Sequence, residues 1–369
     1  MKILRVASDI YPSVVGGLPI HAHELSRLQA KKGHEVTVYA ASNGDSAPDG
    51  VRDGYSIQRF RALLKLYGNS LMPLLPVAMF RKRGSFDVIH AHSHLFFSTN
   101  VCALLRAFGS PPLVITNHGL KSQSVPSWLN DVYIPTIAKW TFKAADRIIC
   151  YTENEKASLV DLGIDGEKIA VIHNGIDTDV FARSQDRTAS GRLLWIGRFV
   201  PGKGVEYLID AFAILAKKHP ETELLLIGKG PLKESIERKI ADMGLTQKVS
   251  IREFVPNREL PEVYKSSDVF VLPSLEEGIP RTILEAMASE VPVVCTNLPQ
   301  LTDIVDGCGL LVPARDPEAL AEKIDALLSD DSLARGLGQC GRERVLNRYS
   351  WEDTVKRTLK LYQELIARN

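Results

Sequence analysis

The sequence has almost no net charge and no long apolar run. Its 45 Lys and Arg residues stand against 44 Asp and Glu residues, which gives a formal net charge of +1 over 369 residues. A dedicated nucleic-acid-binding protein normally has a strong basic excess, so we expect no nucleic acid among the partners. The apolar runs are far shorter than the roughly 18 residues that a membrane-spanning helix requires. The first residues, MKILRVASD, are typical of a strand. Their apolar run is too short for the hydrophobic region of a secretory signal.

Cysteine is scarce, and no C-x-x-C pair occurs. The cysteines are Cys102, Cys150, Cys295, Cys308 and Cys340. An odd number at wide spacing favours reduced thiols in a cytoplasmic protein over a disulfide framework or a zinc ribbon. A chain of this length buries a large core without crosslinks.

Short apolar runs alternate with longer amphipathic stretches along most of the chain. Predicted strands lie at 2–8, 35–40, 86–90, 112–116, 146–150, 169–172, 192–197, 222–228, 248–251, 268–272, 291–295 and 309–312. Predicted helices lie at about 18–32, 94–108, 128–144, 153–162, 204–218, 231–243, 258–266, 281–289, 316–328, 332–346 and 350–366.

Continuous apolar strands separated by helices indicate parallel sheets that are covered on both faces. The rhythm stops at the polar stretch 182–191 and then restarts. At roughly 150 residues per domain, the chain is predicted to fold as two doubly wound α/β domains that face a cleft. We place the first domain at 1–175 and the second at 176–346, and the last helix, within 347–369, could pack on either.

The first predicted strand leads into a glycine pair. The loop is not G-x-G-x-x-G, so no motif supports a nicotinamide site. Gly16 and Gly17 allow a close backbone approach, and Pro19 in the first turn of the next helix costs little there. The N–H groups at this helix start would face an anion, although a plain glycine turn is an equal alternative.

The second predicted domain opens with a glycine-rich loop that carries two cations. Arg198 and Lys203 follow strand 192–197. A guanidinium can bind two phosphate oxygens, and a lysine adds a mobile point charge, so the pair suits a diphosphate without a metal. The alternative is a solvated basic loop.

A third element contains two separated carboxylates. Glu277 follows strand 268–272, and Glu285 lies more than one turn inside the next helix, whose first turn is predicted to include Pro280. The helix start would present N–H groups and a positive dipole to an anion. The carboxylates are too far apart for a glycosidase pair, and suit hydroxyl groups on two sides of a phosphate, a sugar and a ribose.

Histidines are dense in the first domain. His90, His92 and His94 alternate at a strand end, and His118 precedes a glycine at the next strand end. Three alternate histidines on one extended face could hold a metal, but no carboxylate accompanies them. His118 is the better candidate for a cleft residue.

Taken in order, these elements resemble the retaining GT-B glycosyltransferases of family 4, also called glycosyl transferases group 1. The matching pieces are Gly16-Gly17, Lys32 to Val36, Phe86 to His92, Asn117 to Gly119, Asn174 to Asp177 with Phe181, Gly197-Arg198, Lys203-Gly204, and Glu277 through Glu285 to Ala288. The chain departs from the family at Glu290, where glycine is usual, and at 299–305, where Gly-Gly-x-x-Glu-Ile-Val is common.

The resemblance implies two Rossmann-like domains, an acceptor-side domain at 1–175 and a donor-binding domain at 176–346, with the last helix packed back on the first. It implies that Arg198 and Lys203 hold a diphosphate, that Glu285 binds the ribose, and that Glu277 with Gly278 and Ile279 binds the donor sugar. It places Gly16 and Gly17 at the phosphates and acceptor, with His118 at the reacting face of the sugar. The helix end at Pro280 would stabilise the departing charge.

The activity implied is transfer of a sugar, with retained configuration, from a nucleotide-diphosphate donor to a hydroxyl of a glycan or lipid-linked acceptor. A UDP-sugar is favoured and GDP-mannose is next, and neither a cofactor nor a metal is expected. The alternatives are a sugar-nucleotide epimerase of the same fold, a non-catalytic donor-binding subunit, and a metal hydrolase built on His90, His92 and His94.

The stretch 59–83 mixes apolar side chains with six cations. A basic amphipathic surface can lie on anionic lipid, so we expect a cytoplasmic protein with peripheral contact at the inner face of the membrane. A core-facing helix with solvated ends is the alternative.

Overall fold

The chain divides into two compact units. The structure, a computed structural model, describes residues 1–14, 16–42, 49–121, 125–182, 191–277 and 280–368. Unit 1 comprises Met1–Gly175 and Trp351–Asn369, and unit 2 comprises Ile176–Ser350. The chain therefore leaves unit 1 after Gly175 and returns to it at Trp351.

Unit 1 contains a mostly parallel sheet. Its strands are β1 (Lys2–Val6), β2 (Glu35–Ser42), β3 (Gly50–Arg52), β4 (Tyr55–Arg61), β5 (Leu64–Leu66), β6 (Asn69–Leu71), β7 (Val88–His92), β8 (Leu113–Thr116), β9 (Arg147–Cys150) and β10 (Ile169–Val171). The 8-stranded sheet has the order β10-β9-β8-β7-β1-β2-β4-β3, in which β3 alone is antiparallel, and β5 and β6 form a separate pair.

The helices of unit 1 cover both faces of this sheet. They are α1 (Gly17–Lys31), α2 (Leu75–Lys82), α3 (Phe97–Arg106), α4 (Ser127–Tyr133), α5 (Lys139–Ala144), α6 (Glu153–Asp161) and, after unit 2, α14 (Trp351–Ile366). Neighbouring residues of β1 enter different cores: Leu4 belongs to the cluster that contains Phe142 of α5, whereas Ile3 belongs to the cluster that contains Tyr362 of α14. The last helix thus closes one face of the unit 1 sheet.

Unit 2 contains an entirely parallel sheet. Its strands are β11 (Arg192–Ile196), β12 (Glu223–Ile227), β13 (Val249–Arg252), β14 (Val269–Leu272), β15 (Val293–Thr296) and β16 (Leu310–Val312), in the order β13-β12-β11-β14-β15-β16. Its helices are α7 (Val205–Lys218), α8 (Lys233–Asp242), α9 (Leu260–Lys265), α10 (Arg281–Ala288), α11 (Pro299–Val305), α12 (Pro317–Ser329) and α13 (Asp331–Arg348). Leu193 and Leu194 of β11 enter different cores, as expected for a strand buried on both faces.

The predicted α/β class with parallel sheets is confirmed. The pattern missed the short elements β3, β4, β5, β6, α2 and α11, because three to eight residues carry too little periodicity to detect. Within the described residues, no helix is long and apolar enough to cross a membrane.

The prediction that all cysteines are reduced is wrong for two of them. Cys308, just before β16, and Cys340, on α13, form a disulfide, with Cα atoms 5.2 Å apart and a sequence separation of 32. Cys102, Cys150 and Cys295 are free and buried. Spacing alone could not reveal that α13 passes beside the loop that contains Cys308.

Candidate functional site

Glycines bring two strand-end loops of unit 2 into contact. Gly204, at the start of α7, has φ of 60°, and a Cβ added there would lie 2.1 Å from the carbonyl oxygen of Pro273. Across the same contact, the N–H of Leu275 donates to the carbonyl oxygen of Gly202 at 2.9 Å. The β11–α7 loop therefore lies directly against the β14–α10 loop, at the carboxyl ends of two neighbouring parallel strands, where doubly wound folds bind ligands.

This contact brings Lys203 to Glu277. The Nζ of Lys203 lies 2.6 Å from Oε1 of Glu277, and the two side chains are 15% and 5% exposed. The hydroxyl of Ser274 donates to the same carboxylate oxygen at 2.7 Å, and the Gln300 amide donates to the Glu277 carbonyl. Glu277 is thus fixed by three side chains, and the charge of Lys203 is balanced before any ligand binds.

Glu285 is held by a different set of groups. It is 6% exposed on α10, and the hydroxyl of Tyr264 donates to its Oε2 at 2.9 Å. Arg281 Nε lies 3.6 Å from its Oε1. Burial raises the pKa of Tyr264, and the Glu285 carboxylate raises it further. The two carboxylates therefore have separate partners, as their sequence separation predicts.

Two further cations belong to these loops. Arg198 is exposed and makes no ion pair with the part of the chain that the structure describes. Arg281 is largely buried, and its Nε and Nη1 have no hydrogen-bond partner among the described residues. Of Arg198, Lys203 and Arg281, Arg198 is thus the one whose charge no carboxylate of the described residues balances.

Three predicted donor-site residues, Gly278, Ile279 and Pro280, directly precede α10 in the sequence. Pro280 is the N-cap residue, one position before the helix, rather than part of its first turn. Gly278 and Ile279 lie outside the described residues.

The remaining predicted residues are in unit 1. Gly16 is the N-cap of α1 and Gly17 its first residue, and Pro19 lies in its first turn. His118 follows β8, with its ring 3.1 Å, Nε2 to Nδ1, from His92 and its Nδ1 3.2 Å from the Tyr151 hydroxyl. Gly16, Gly17 and His118 thus belong to unit 1, whereas Lys203 and Glu277 belong to unit 2.

His118 belongs to a histidine cluster, which we define as His21, His90, His92 and His118. Ring centroids are 4.5 Å apart for His90 and His92, and 5.4 Å apart for His118 and either His92 or His21. Burial lowers the pKa of His90, His92 and His118 well below the usual value. Neighbouring imidazoles lower all three further, and the Arg5 guanidinium also lowers the pKa of His90 and His92. His90, His92 and His118 are therefore neutral.

A buried arginine lies in the cluster. Nη1 of Arg5 is 3.3 Å from Nδ1 of His90 and 3.2 Å from Nε2 of His92. His94 bonds elsewhere, to the Leu120 carbonyl at 3.2 Å. No group of three or more metal-binding side chains is found among the described residues, and a guanidinium between His90 and His92 opposes a cation there, so the metal-hydrolase alternative has no support.

Several residues of these sites were not predicted from the sequence. They are Arg5, His21, Tyr151, Tyr264, Ser274, Arg281 and Gln300. Ser274 and Arg281 lie inside the element that the sequence singled out, so their position could have drawn attention to them. The others reach the sites from distant elements, and no local pattern marks them.

Two family models match the chain almost end to end. Glycosyltransferase Family 4 matches residues 15–180, and Glycosyl transferases group 1 matches residues 178–344.

Curated relatives match over nearly their whole length. Glycogen synthase of Mycobacterium tuberculosis is 27% identical, over 98% of this chain and 94% of that protein. The GDP-mannose:cellobiosyl-diphosphopolyprenol alpha-mannosyltransferase of Xanthomonas oryzae is 25% identical, over 100% and 98%.

Solved structures share the fold. Sucrose-phosphate synthase of Thermosynechococcus elongatus superposes with a TM-score of 0.86 at 24% identity, over 100% of both chains. HepE of Anabaena, in complex with UDP-glucose, superposes with a TM-score of 0.81 at 18% identity, over 99% of this chain and 100% of that one. With both halves matched in order on a GT-B fold, the chain belongs to the family 4 glycosyltransferases, enzymes that act on nucleotide sugars.

Proposed function

We propose that the chain is a retaining glycosyltransferase that moves a sugar from a nucleotide-diphosphate donor to a hydroxyl of a glycan or lipid-linked acceptor, with no cofactor and no essential metal. The observation that carries the proposal is the contact between the two strand-end loops of unit 2. It fixes Lys203 beside Glu277 and leaves the exposed Arg198 on the same loop. This arrangement suits a diphosphate leaving group.

Each site residue has a role in this proposal. Arg198 and Lys203 bind the diphosphate, and the start of α10 at Pro280 adds its dipole. Glu285 binds the ribose hydroxyls with the carboxylate lone pairs that the hydrogen bond from Tyr264 leaves available. Glu277, with the backbone of Gly278 and Ile279, binds the donor sugar. Gly16, Gly17 and His118 act from unit 1, at the phosphates and at the reacting face.

The mechanism follows from where the charges lie. As the bond between C1 and the phosphate oxygen breaks, C1 gains oxocarbenium character and the diphosphate gains negative charge. Arg198 and Lys203 stabilise that charge. The acceptor hydroxyl attacks C1 from the face that the diphosphate leaves, and its proton passes to a phosphate oxygen. No covalent enzyme intermediate is required, and the configuration at C1 is retained.

The donor is proposed to be a UDP-sugar, with GDP-mannose next. Support for the first comes from the HepE structure, which contains UDP-glucose, and support for the second comes from the name of the Xanthomonas relative.

A thermal-unfolding panel of UDP-, GDP- and ADP-sugars tests the donor. A ligand at 100 times its Kd stabilises the folded state by about 2.7 kcal/mol, so the true donor stands out. The best donor is then incubated with sugar and lipid-linked acceptors, with a chelator present. Transfer with retained configuration supports the proposal. Isomerisation of the donor alone would identify an epimerase, and binding without turnover on any acceptor would identify a donor-binding subunit.

We further propose that the surface 59–83 contacts an anionic membrane. The segment contains the end of β4, the β5–β6 pair and α2, rather than a single helix. Large apolar side chains are exposed there, among them Leu63 at 76% and Leu74 at 66%. The exposed cations Arg61, Arg81 and Lys82 flank them. Apolar side chains ringed by cations complement a bilayer of anionic lipid.

Flotation with vesicles at low salt tests this surface. Phosphatidylglycerol vesicles should carry the protein, and phosphatidylcholine vesicles should not. The double variant Leu63→Ser and Leu74→Ser should no longer float with the vesicles. Val51→Ser is a matched control, because Val51 is 80% exposed on β3 outside the segment. Equal flotation of the double variant and the control would contradict the proposal.

A further inference from the structure

We propose that Arg5 and His92 are positioning residues that hold the His118 ring in one neutral tautomer, with Nε2 as hydrogen-bond acceptor and Nδ1–H as donor. The inference deepens the proposed function, since it rests on His118 lying at the donor sugar. Neither Arg5 nor His92 touches substrate in this account.

Arg5 can only donate hydrogen bonds to the histidines. Arg5 lies on β1 and is 0% exposed. One of its nitrogens, Nη1, carries two hydrogens and lies 3.3 Å from Nδ1 of His90 and 3.2 Å from Nε2 of His92. A guanidinium has no acceptor, so both imidazole nitrogens must accept.

The tautomer of His92 then determines that of His118. Because Nε2 of His92 accepts from Arg5, the proton of the neutral ring is on Nδ1. That Nδ1–H lies 3.1 Å from Nε2 of His118, which must therefore accept. The proton of His118 is left on Nδ1, 3.2 Å from the Tyr151 hydroxyl.

The hydrogen bonds of His90 agree with Arg5 as the donor to both imidazoles. Its Nδ1 accepts from Arg5 and also contacts the Tyr362 hydroxyl from α14. Its proton is therefore on Nε2, which donates to Oγ1 of Thr116 at 2.6 Å. Every hydrogen bond of both rings is satisfied by one assignment of protons.

The groups around His118 keep it uncharged. Burial lowers the pKa of His118 most, and His21 on α1 and His94 after β7 lower it further. The other facing groups are His92 and Tyr151, and Arg5 adds a positive charge behind them. None of these groups is an acid that would favour imidazolium.

This arrangement limits what His118 offers to a substrate. Its Nε2 is occupied by His92, so His118 cannot act as a general base. Its Nδ1–H, now directed at Tyr151, is the group that can exchange to a hydroxyl oxygen of the donor sugar. His118 therefore recognises an acceptor lone pair on the sugar and takes up no proton in the reaction.

Long-range ¹H–¹⁵N correlation spectra of ¹⁵N-histidine-labelled protein read the tautomers directly. We expect His92 and His118 as Nδ1–H and His90 as Nε2–H, unchanged from pH 8 to pH 6. Signals are assigned with single histidine variants. Finding His118 as Nε2–H, or as imidazolium at pH 6, would overturn the inference without any variant.

Arg5→Met should release His92 and His118 into mixed tautomers, whereas Arg27→Met, a matched change on the partly exposed face of α1, should leave them fixed. If Arg5→Met does not fold, Tyr151→Phe serves instead: it removes the hydroxyl that accepts from His118, and the tautomers of His92 and His118 should both persist. Turnover of the best donor should fall about tenfold in Arg5→Met, the lower range for loss of a group that orients a site residue.

The positioning role of Arg5 and His92 and the proposed function can be disproved independently of each other. The spectra need no substrate, so fixed tautomers in a protein that turns over no nucleotide sugar would overturn the proposed function and leave the positioning intact. If Arg5→Met had mixed tautomers of His92 and His118 but full turnover, the positioning role would be overturned and the proposed function would stand.

Discussion

Glu290 has a backbone conformation that side chains rarely adopt. Its φ is 55°, and it lies two residues after the end of α10, at the position where the family usually has glycine. Its neighbourhood is tight, because a Cβ added at Gly338 would lie 2.3 Å from its carbonyl oxygen. Its carboxylate lies 3.8 Å from Nε of Arg342, which also donates to the Ala288 carbonyl. The ion pair partly offsets the strain of the left-handed residue.

Replacing Glu290 separates these two effects. Glu290→Ala loses the ion pair and keeps the strain, whereas Glu290→Gly loses the pair and removes the strain. The glycine variant should therefore be more stable than the alanine variant by about 1 kcal/mol, the penalty for a left-handed residue with a Cβ. Urea unfolding of both variants measures the difference. An alanine variant as stable as the glycine variant would show that no strain resides at this residue.

At the scale of elements, the start of α6 contains a carboxylate that titrates near neutrality. Oγ1 of Thr152, the N-cap, accepts from the Glu155 N–H at 3.1 Å, and Oε2 of Glu155 accepts from the Tyr151 N–H at 2.8 Å. Burial raises the pKa of Glu155 to about 7, although hydrogen bonds from the backbone N–H groups of Tyr151 and Thr152 act in the opposite direction. This cap fixes the backbone of Tyr151, the residue that receives the His118 hydrogen bond.

Glu155→Gln should change the pH dependence of stability. A carboxyl whose pKa is raised in the folded state binds its proton more tightly there, so its contribution to stability falls as pH rises from about 4.5 to about 7. Glutamine keeps the cap without the charge. The variant should match wild type near pH 5 and exceed it at pH 8, by at most about 3 kcal/mol. Thermal or urea unfolding at both pH values checks this, and a difference that does not vary with pH would contradict it.

The elements that carry long apolar runs could be predicted from the sequence, and those set by tertiary contacts could not. The predicted helix 128–144 is interrupted by a π-helical turn at Ile134–Ala138, because Pro135 has no N–H for a regular helix. The motifs located Lys203 and Glu277 separately, but their ion pair joins residues 74 positions apart. The spacing placed His90 and His92 on one face, but Arg5 reaches them from another strand, 85 positions away from His90.

At the scale of the whole molecule, the return of the chain to unit 1 depends on a contact that only glycine permits. A Cβ added at Gly175 would lie 2.4 Å from the Trp351 ring and 2.8 Å from the Trp351 Cα. The hydroxyl of Thr354 donates to the His173 carbonyl at 2.9 Å beside it. The start of α14 thus packs directly on the last residues of the first segment of unit 1.

Gly175→Ala should destabilise the docking of α14. Backbone as well as side-chain atoms obstruct the added methyl, so we expect a loss of about 1–3 kcal/mol, typical of overpacking. Gly336→Ala is the matched control, since this glycine lies inside α13 with nothing within 4 Å of the added Cβ, and alanine favours helix. Differential scanning calorimetry compares the two. Equal unfolding temperatures would mean that α14 can shift without cost.

The central claim is that side-chain cations of unit 2 bind the donor diphosphate without a metal. Lys203 is already paired with Glu277, so a ligand must share that amine or take over part of its charge. Removing Lys203 should therefore weaken binding of the phosphates and not of the nucleoside, whose affinity also reports that the fold is intact. Lys217, exposed on α7, provides a control for loss of one positive charge.

The most direct measurement is calorimetric titration, in the presence of EDTA, of UDP against uridine and of GDP against guanosine, with wild type, Lys203→Met and Lys217→Met. For the nucleotide that binds, we predict that Lys203→Met lowers diphosphate affinity at least tenfold, the effect of losing a hydrogen bond to a charged group, while nucleoside affinity is unchanged and Lys217→Met resembles wild type. Unchanged diphosphate affinity in Lys203→Met, or wild-type binding abolished by EDTA, would contradict the account.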